Sequence, residues 1–222
     1  MNTSGRLYRI LRFDRAVQLF EKGELHFAHP STWSDPYEVS LVHASSKQLF
    51  GQCWCTKGVS DAMWRIYSPD HLGVRISTSI KLLRLGLDQA VRRHNWSFRA
   101  EPVKYLSQYN ITQEMRKIKA DLSNSFRIER ANDALFMKRD SFDHESEYRV
   151  IVTVPESTEE QVRKGLKVAV DPYKLIDSIL LDPRAPDELS AALTYYFKEK
   201  VGFKKRVQKS VLYRAPTQVV VE

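Results

Sequence analysis

The chain predicts an α+β fold, in which mixed β-sheets are flanked by helices. Three observations carry that expectation. Apolar residues alternate with period two at residues 148–154, as in a strand. Ile111, Met115, Ile118, Leu122 and Phe126 recur at spacings of 4, 3, 4 and 4, as on one face of a helix. Segments of the two kinds are intermixed along 222 residues without a regular βαβ rhythm, which excludes a doubly wound sheet. The length and the 42% apolar content suit a single domain spanning residues 1–222.

In chain order, residues 7–11 (Leu7-Tyr8-Arg9-Ile10-Leu11) alternate and are β-rich, so they predict the first strand. Asp14 is the expected cap of a helix over 15–22, which Gly23 ends. Leu25 and Phe27 mark a second short strand, and His29-Pro30-Ser31-Thr32 and Ser34-Asp35-Pro36 carry turn chemistry. Residues 49–56, with Phe50, Cys53, Trp54 and Cys55, predict a buried strand. Ser60 is positioned to cap a short helix holding Met63, Trp64 and Tyr67. Residues 74–76 predict a strand that runs into Ser77-Thr78-Ser79, and residues 80–93 a helix with Gly86 inside it. The stretch 97–105 is β-like, 168–170 and 178–181 are short strands, 188–200 is a helix, and 207–213 is the last strand. No internal repeat, low-complexity tract or long linker interrupts the chain.

Bulk properties narrow the function classes. No apolar run approaches the ~20 residues of a membrane span, and Met1 to Arg6 lack the apolar stretch of a secretory leader, so the expected compartment is the cytoplasm. Cys53 and Cys55 are one residue apart, a poor spacing for a disulfide, and two thiols alone do not hold zinc. The six histidines show no metal spacing, so no metal is expected. Glycine is scarce, at eight residues, and neither a Walker nor a Rossmann fingerprint is present. The net charge of +8 favours a polyanionic partner such as nucleic acid, although a solvated basic face explains it equally well. The polar face of the 111–126 helix, with Arg116, Lys117, Lys119, Arg127 and Arg130, is open to both explanations.

Five groups of residues could carry chemistry. Tyr8-Arg9 puts a guanidinium inside an apolar strand, either reaching solvent at a sheet edge or clamping a phosphate in a cleft. Ser34-Asp35-Pro36-Tyr37-Glu38 reads as a tight turn whose Asp35 satisfies nearby amides. Trp64 and Tyr67, three apart, share a helix face that is either core or an aromatic wall for a flat ring. Ser77-Thr78-Ser79 either cap the next helix or brace a catalytic carboxylate. Glu145-Ser146-Glu147-Tyr148-Arg149 sets two carboxylates at the mouth of a strand. Like charges so close raise one pKa, which suits acid–base work. The alternative is an acidic strand end paired with Lys138, Arg139 or Arg149.

In their order, Tyr8-Arg9, Ser34-Asp35-Pro36-Tyr37-Glu38, Met63-Trp64-x-x-Tyr67, Gly73-Val74-x-Ile76, Lys138 and Glu145-x-Glu147-Tyr148-Arg149 resemble a bacterial family of domains of unknown function over roughly residues 6–182. That family in turn resembles the ADP-ribosyltransferases, whose Arg-Ser-Glu toxins carry a first-strand arginine, a Ser-Thr-Ser strand and a late Glu-x-Glu; Arg9, Ser77-Thr78-Ser79 and Glu145-x-Glu147 stand here in that order. The resemblance implies an ADP-ribosyltransferase-like domain that uses NAD as substrate and no metal. It implies that Tyr8, Arg9, Trp64, Tyr67, Ser77 and Thr78 line the NAD pocket, Arg9 on the phosphates or bracing the cleft, and Trp64 or Tyr67 near nicotinamide. Glu147 would bind the nicotinamide ribose 2′-hydroxyl, and Glu145 would orient or deprotonate the acceptor. In size and charge the chain is also similar to an RNA-modifying ADP-ribosyltransferase toxin of a toxin–antitoxin–chaperone phage-defence system. That similarity implies an RNA acceptor and an antitoxin partner with a chaperone; the lack of a long apolar run predicts no membrane association.

One departure from the toxin pattern is that a predicted helix directly follows Ser-Thr-Ser, and the aromatic wall precedes it. Alternatives are a protein acceptor, a metal-independent nuclease built on the acidic pair and the basic surface, and a non-catalytic RNA-binding module.

Overall fold

The computed structural model describes residues 5–58 and 60–216; Met1 to Ser4, read above for a leader, lie outside the described residues. The fold is α+β, as expected. The strands are β1 (Arg6–Leu11), β2 (Glu24–Phe27), β3 (Leu49–Cys55), β4 (Val74–Ser79), β5 (Ser97–Pro102), β6 (Lys104–Leu106), β7 (Met137–Arg139), β8 (Glu147–Thr153), β9 (Leu166–Ala169), β10 (Ser178–Leu181) and β11 (Arg206–Lys209). The α-helices are α1 (Phe13–Lys22), α2 (Asp61–Tyr67), α3 (Ile80–Arg92), α4 (Gln108–Asn124), α5 (Ile128–Asn132), α6 (Glu159–Lys164), α7 (Pro172–Leu175) and α8 (Asp187–Tyr195).

A seven-stranded sheet runs in the order β11-β10-β4-β1-β3-β8-β5 and is antiparallel except for the parallel β10–β11 pair. β2 and β9 form an antiparallel pair, and β6 and β7 a parallel one. The large sheet has two unlike faces. Leu7, Phe50, Trp54, Ile76, Val150 and Val152 pack with Leu19 and Phe20 of α1 and Leu83 and Leu87 of α3 into the main core. Burying a side chain of this size stabilises by about 1.5–3 kcal/mol. The opposite face carries Tyr8, Cys55 and Glu147 in one row, because Tyr8 lies opposite Cys55 and Cys55 opposite Glu147.

Between β1 and β3 the ladder has one paired position, Tyr8 with Cys55. Beyond it the strands part. At Gly51, β3 bonds instead to Ala28, with amide–carbonyl distances of 2.7 and 2.9 Å. Gln52 Nε2 donates to the carbonyl of His26 at 2.8 Å. The chain after β2 is thus wedged into the sheet. Gly51 is required there, because a Cβ would fall 2.3 Å from the Trp33 ring.

Several boundaries differ from the sequence reading, each for a local reason. α1 starts at Phe13, one residue before its expected cap; Asp14 sits inside the first turn and the N-cap Arg12 makes no side-chain cap bond. Gly23 does end it, in the left-handed conformation (φ 62°). The 97–105 stretch divides at Val103, where Val103 N bonds to Glu147 O and the chain leaves β8 for β7. The 111–126 stripe overreaches, since α4 ends at Asn124 and Phe126 is exposed. Residues 188–200 divide into α8 and a π-helical turn at Tyr196–Lys200, and the last strand is β11 rather than 207–213. In β8 every residue is buried, so its alternation separates two buried faces rather than a core face from a wet one.

Candidate active site

Lys138, Glu145, Glu147, Arg149 and Glu38 form one buried charge network. Lys138 Nζ lies 2.7 Å from Glu145 Oε2 and 2.6 Å from Glu147 Oε1. Arg149, 1% exposed, donates through Nη2 to Glu147 Oε2 at 2.7 Å and to Glu38, and through Nη1 to the Leu135 carbonyl at 2.6 Å. Its guanidinium lies 4.5 Å from the Trp33 ring, which itself rests on Gly51. Glu147 N donates to Tyr105 Oη at 2.8 Å, which fixes the start of β8. The turn that brings the two carboxylates to one lysine is made by Ser146, in the left-handed region (φ 45°, ψ 53°). That conformation costs a non-glycine residue about 1–2 kcal/mol. It is held by Thr56, whose amide and hydroxyl both donate to the Ser146 carbonyl at 2.9 and 3.0 Å.

The network separates the two carboxyls chemically. Burial raises the Glu145 carboxyl, its hydrogen bond with Glu147 adds to the rise, and Lys138 offsets only part. Burial also acts against an ionised Glu147, but Arg149, Glu145 and Lys138 together outweigh it and hold Glu147 well below the usual carboxylate range. Three carboxylates face two cations, so one negative charge is left over unless the Glu145–Glu147 pair holds a proton.

Both carboxylates open onto a cavity of about 150 Å³. Its walls include Tyr8, Ile10, Cys53, Cys55, Lys57, Ser60, Trp64, Tyr67 and Arg75. Ser60 caps α2 by accepting from Met63 N at 3.2 Å, as expected. The C-terminal end of α2 is anchored by Arg184, which donates to the carbonyls of Trp64 and Ser68 at 2.9 and 2.6 Å and pairs with buried Asp182 at 2.8 Å. Trp64, 1% exposed, is a fixed wall, whereas Tyr67 is 42% exposed at the rim. Burial drives the Cys53 thiol up to about 12, which keeps it protonated.

Of the residues singled out from sequence, Glu145, Glu147, Tyr8, Arg9, Trp64 and Tyr67 converge on this cavity. Arg9 also reaches the opposite side of the split between β1 and β3, where a second cavity is lined by Arg15, Glu24, His26 and Gln52. Burial lowers its pKa to about 10. Ser77 and Thr78 are not brought in. Ser77 Oγ bonds to Ser178 Oγ at 2.6 Å, and Thr78 Oγ1 donates to the Leu175 carbonyl at 2.6 Å, so both tie β4 to its neighbours. Asp35 accepts from Tyr37 N at 3.1 Å, the expected turn bond, and also pairs with Arg139 at 3.1 Å. Sequence reasoning left Glu38, Tyr105, Trp33, Lys57 and Arg75 without a functional role; of these only Glu38 fell within a motif that had drawn notice. Among the described residues, no helix is long and apolar enough to cross a membrane.

Residues 63–150 match the family described as "Protein of unknown function (DUF2971)". The match begins at Met63 of the aromatic block and ends just past Arg149. No curated protein matches the chain. Among solved structures, the chain is similar to DarT from Thermus sp. 2.9 in complex with NAD+, at 13% identity over 95% of this chain and 96% of that one, with a TM-score of 0.42. Two further structures of that protein are similar. One is in complex with ADP-ribosylated ssDNA (13% identity, 93% of this chain and 94% of that one, TM-score 0.40). The other is in complex with carba-NAD+ (14% identity, 93% and 96%, TM-score 0.39). At these scores the likeness assigns no function; over residues 63–150 the chain is similar to the DUF2971 family.

Proposed function

We propose that this protein is an NAD-dependent ADP-ribosyltransferase whose acceptor is nucleic acid, RNA first. The observation that supports it most is the paired Glu145 and Glu147 on one cavity wall, both bonded to Lys138 and displaced in opposite directions in pKa. Loss of nicotinamide from NAD leaves positive charge on the ribose C1′ and its ring oxygen. A carboxylate held ionised, as Glu147 is, accepts a hydrogen bond from the ribose 2′-hydroxyl and stabilises that charge electrostatically. A carboxyl raised toward neutrality, as Glu145 is, has the basicity to take a proton from an incoming hydroxyl or amine. Lys138 bonds to both and keeps them within reach of one substrate. Tyr67, exposed at the rim, offers flat apolar surface to the nicotinamide ring, and buried Trp64 backs the wall behind it.

The size of the cavity fits this division. Pockets that enclose drug-sized ligands run to about 300–1,000 Å³, so 150 Å³ takes the nicotinamide end of NAD and leaves the adenosine end outside. For the acceptor, the support is the +8 charge and the exposed Arg116, Lys119 and Arg127 on and after α4, which form no ion pair among the described residues. Lys and Arg contacts to phosphate give sequence-independent affinity. We further propose that the activity is that of a toxin in anti-phage defence, controlled by an antitoxin protein with a chaperone.

The test is incubation with NAD labelled in the ADP-ribose part and total nucleic acid plus protein, followed by separate RNase, DNase and protease digestion. Label released by RNase is expected. Release by DNase alone moves the acceptor to DNA, and release by protease moves it to protein. Glu147→Gln, checked for folding by circular dichroism, is expected to abolish transfer. Full activity in that variant refutes the site. RNA cleavage without NAD supports a nuclease instead.

A further inference from the structure

We propose that Arg75, with Lys57 on the same cavity wall, binds the diphosphate of a nucleotide ligand. The inference rests on the reading of this cavity as a dinucleotide site, and it assigns the phosphates to a residue other than Arg9.

Arg75 stands on β4 opposite Ile10 of β1, on the face that carries Tyr8 and Glu147. Its guanidinium lies over the Tyr8 ring, 4.9 Å from the centroid. Among the described residues it makes no hydrogen bond and no ion pair, and its Nε is sealed from solvent without a partner. Its terminal nitrogens make no bond among the described residues either, and Arg75 lines the cavity. Lys138, Arg149 and Arg184 each face a carboxylate within 2.8 Å; Arg9, like Arg75, makes no ion pair among the described residues, but it stands in register with Ile76 of the main core rather than on the face of Tyr8 and Glu147. A half-buried guanidinium whose near partner is an aromatic ring carries an uncompensated desolvation cost. Burial accordingly lowers the Arg75 pKa.

An anion reaching the cavity removes that cost. The planar fork of arginine matches two phosphate oxygens at once, and Tyr8 beneath it fixes the orientation of the fork. A dinucleotide with its reacting ribose at Glu145 and Glu147 must leave so small a cavity, and its diphosphate is the charged group that has to be met on the way. Arg9 is less suited, because it occupies the split in the sheet and is shared with the cavity on the other face.

Titration calorimetry of the full chain with ADP, inorganic pyrophosphate and adenosine tests this. ADP and pyrophosphate are expected to bind and adenosine to bind far more weakly. Arg75→Gln is expected to weaken ADP and pyrophosphate by roughly tenfold or more, the equivalent of one charge-assisted contact, and to leave adenosine unchanged. If Arg75→Gln does not fold, Arg75→Lys keeps the charge over Tyr8 but loses the fork, and a several-fold weakening is expected. Unchanged ADP affinity in the folded variant overturns the proposal, as does failure of the wild-type chain to bind ADP and pyrophosphate. Arg75-dependent ADP binding without any ADP-ribosyl transfer removes the proposed activity and leaves this subsite standing. Transfer with an unchanged KM for NAD in Arg75→Gln does the reverse.

Discussion

Replacing Lys138 by Met is the sharpest perturbation of the charge network. Lys138 is 7% exposed and bonds Glu145 and Glu147 at 2.7 and 2.6 Å. Removing one partner of a buried ion pair costs about 3–5 kcal/mol, because the other charge is left uncompensated. At about 2–4 °C per kcal/mol for a chain of this size, the melting temperature should fall by roughly 6–20 °C at pH 8. The loss depends on pH in a definite direction. Glu145 already has a folded pKa above its unfolded value, so the stability it contributes is complete below the unfolded value and is lost as pH rises through about 7. Without Lys138 the pKa of both carboxyls moves up, so the variant loses more than the wild type over that rise. Thermal melts of both proteins should therefore show a gap that widens from pH 5, where the ionised Glu147 alone has lost its partner, to pH 8, where Glu145 has ionised as well. Adding Glu145→Gln to Lys138→Met should recover part of it. A gap below about 3 °C, or one equal at both pH values, refutes the view that Lys138 neutralises this pair.

Transfer activity should rise with pH through about 7 as Glu145 loses its proton, and the rise should flatten in Glu145→Gln; a pH–rate profile of kcat checks this. Trp64→Ala should cost about 3–5 kcal/mol in urea unfolding, since Trp64 is a core residue, whereas Tyr67→Ala should cost under about 1 kcal/mol and act mainly on the KM for NAD. Arg184→Met should destabilise by about 1.5–3 kcal/mol in the same assay, because it frees the end of α2 and leaves Asp182 without its ion-pair partner.

The elements that local chemistry specifies were readable from sequence. Gly23 as the stop of α1, Ser60 as the α2 cap and the short strand at 178–181 all appear as expected. The two readings of Glu145-x-Glu147 turn out to be compatible, since the strand end is acidic, paired with Lys138 and Arg149, and also faces a cavity. What stayed hidden is what distance in sequence conceals. Glu38 joins the network across 111 residues, and no local pattern marks a carboxylate for burial. Tyr105 reaches Glu147 across 42. Ser77 and Thr78 mislead for a related reason: hydroxyls at a strand end suit a site and suit ties between strands equally well, and only their neighbours Ser178 and Leu175 decide. The β2 wedge was also beyond reach, because it depends on a single bridge at Gly51.

The parting of β1 from β3 has an evolutionary consequence. Where strands are fully laddered, backbone bonds dictate the spacing of their side chains, and a substitution must fit that spacing. At Arg9, Ile10, Gln52 and Cys53 no backbone bond sets the distance across the split, although β4 and β8 hold each strand from its other side. The width of the split is therefore set by the side chains that meet in it, while the ladders to β4 and β8 keep their hydrogen bonds. New ligand preferences are therefore open to this protein by drift along one fault line, with the glutamate pair and its lysine held fixed on the far bank.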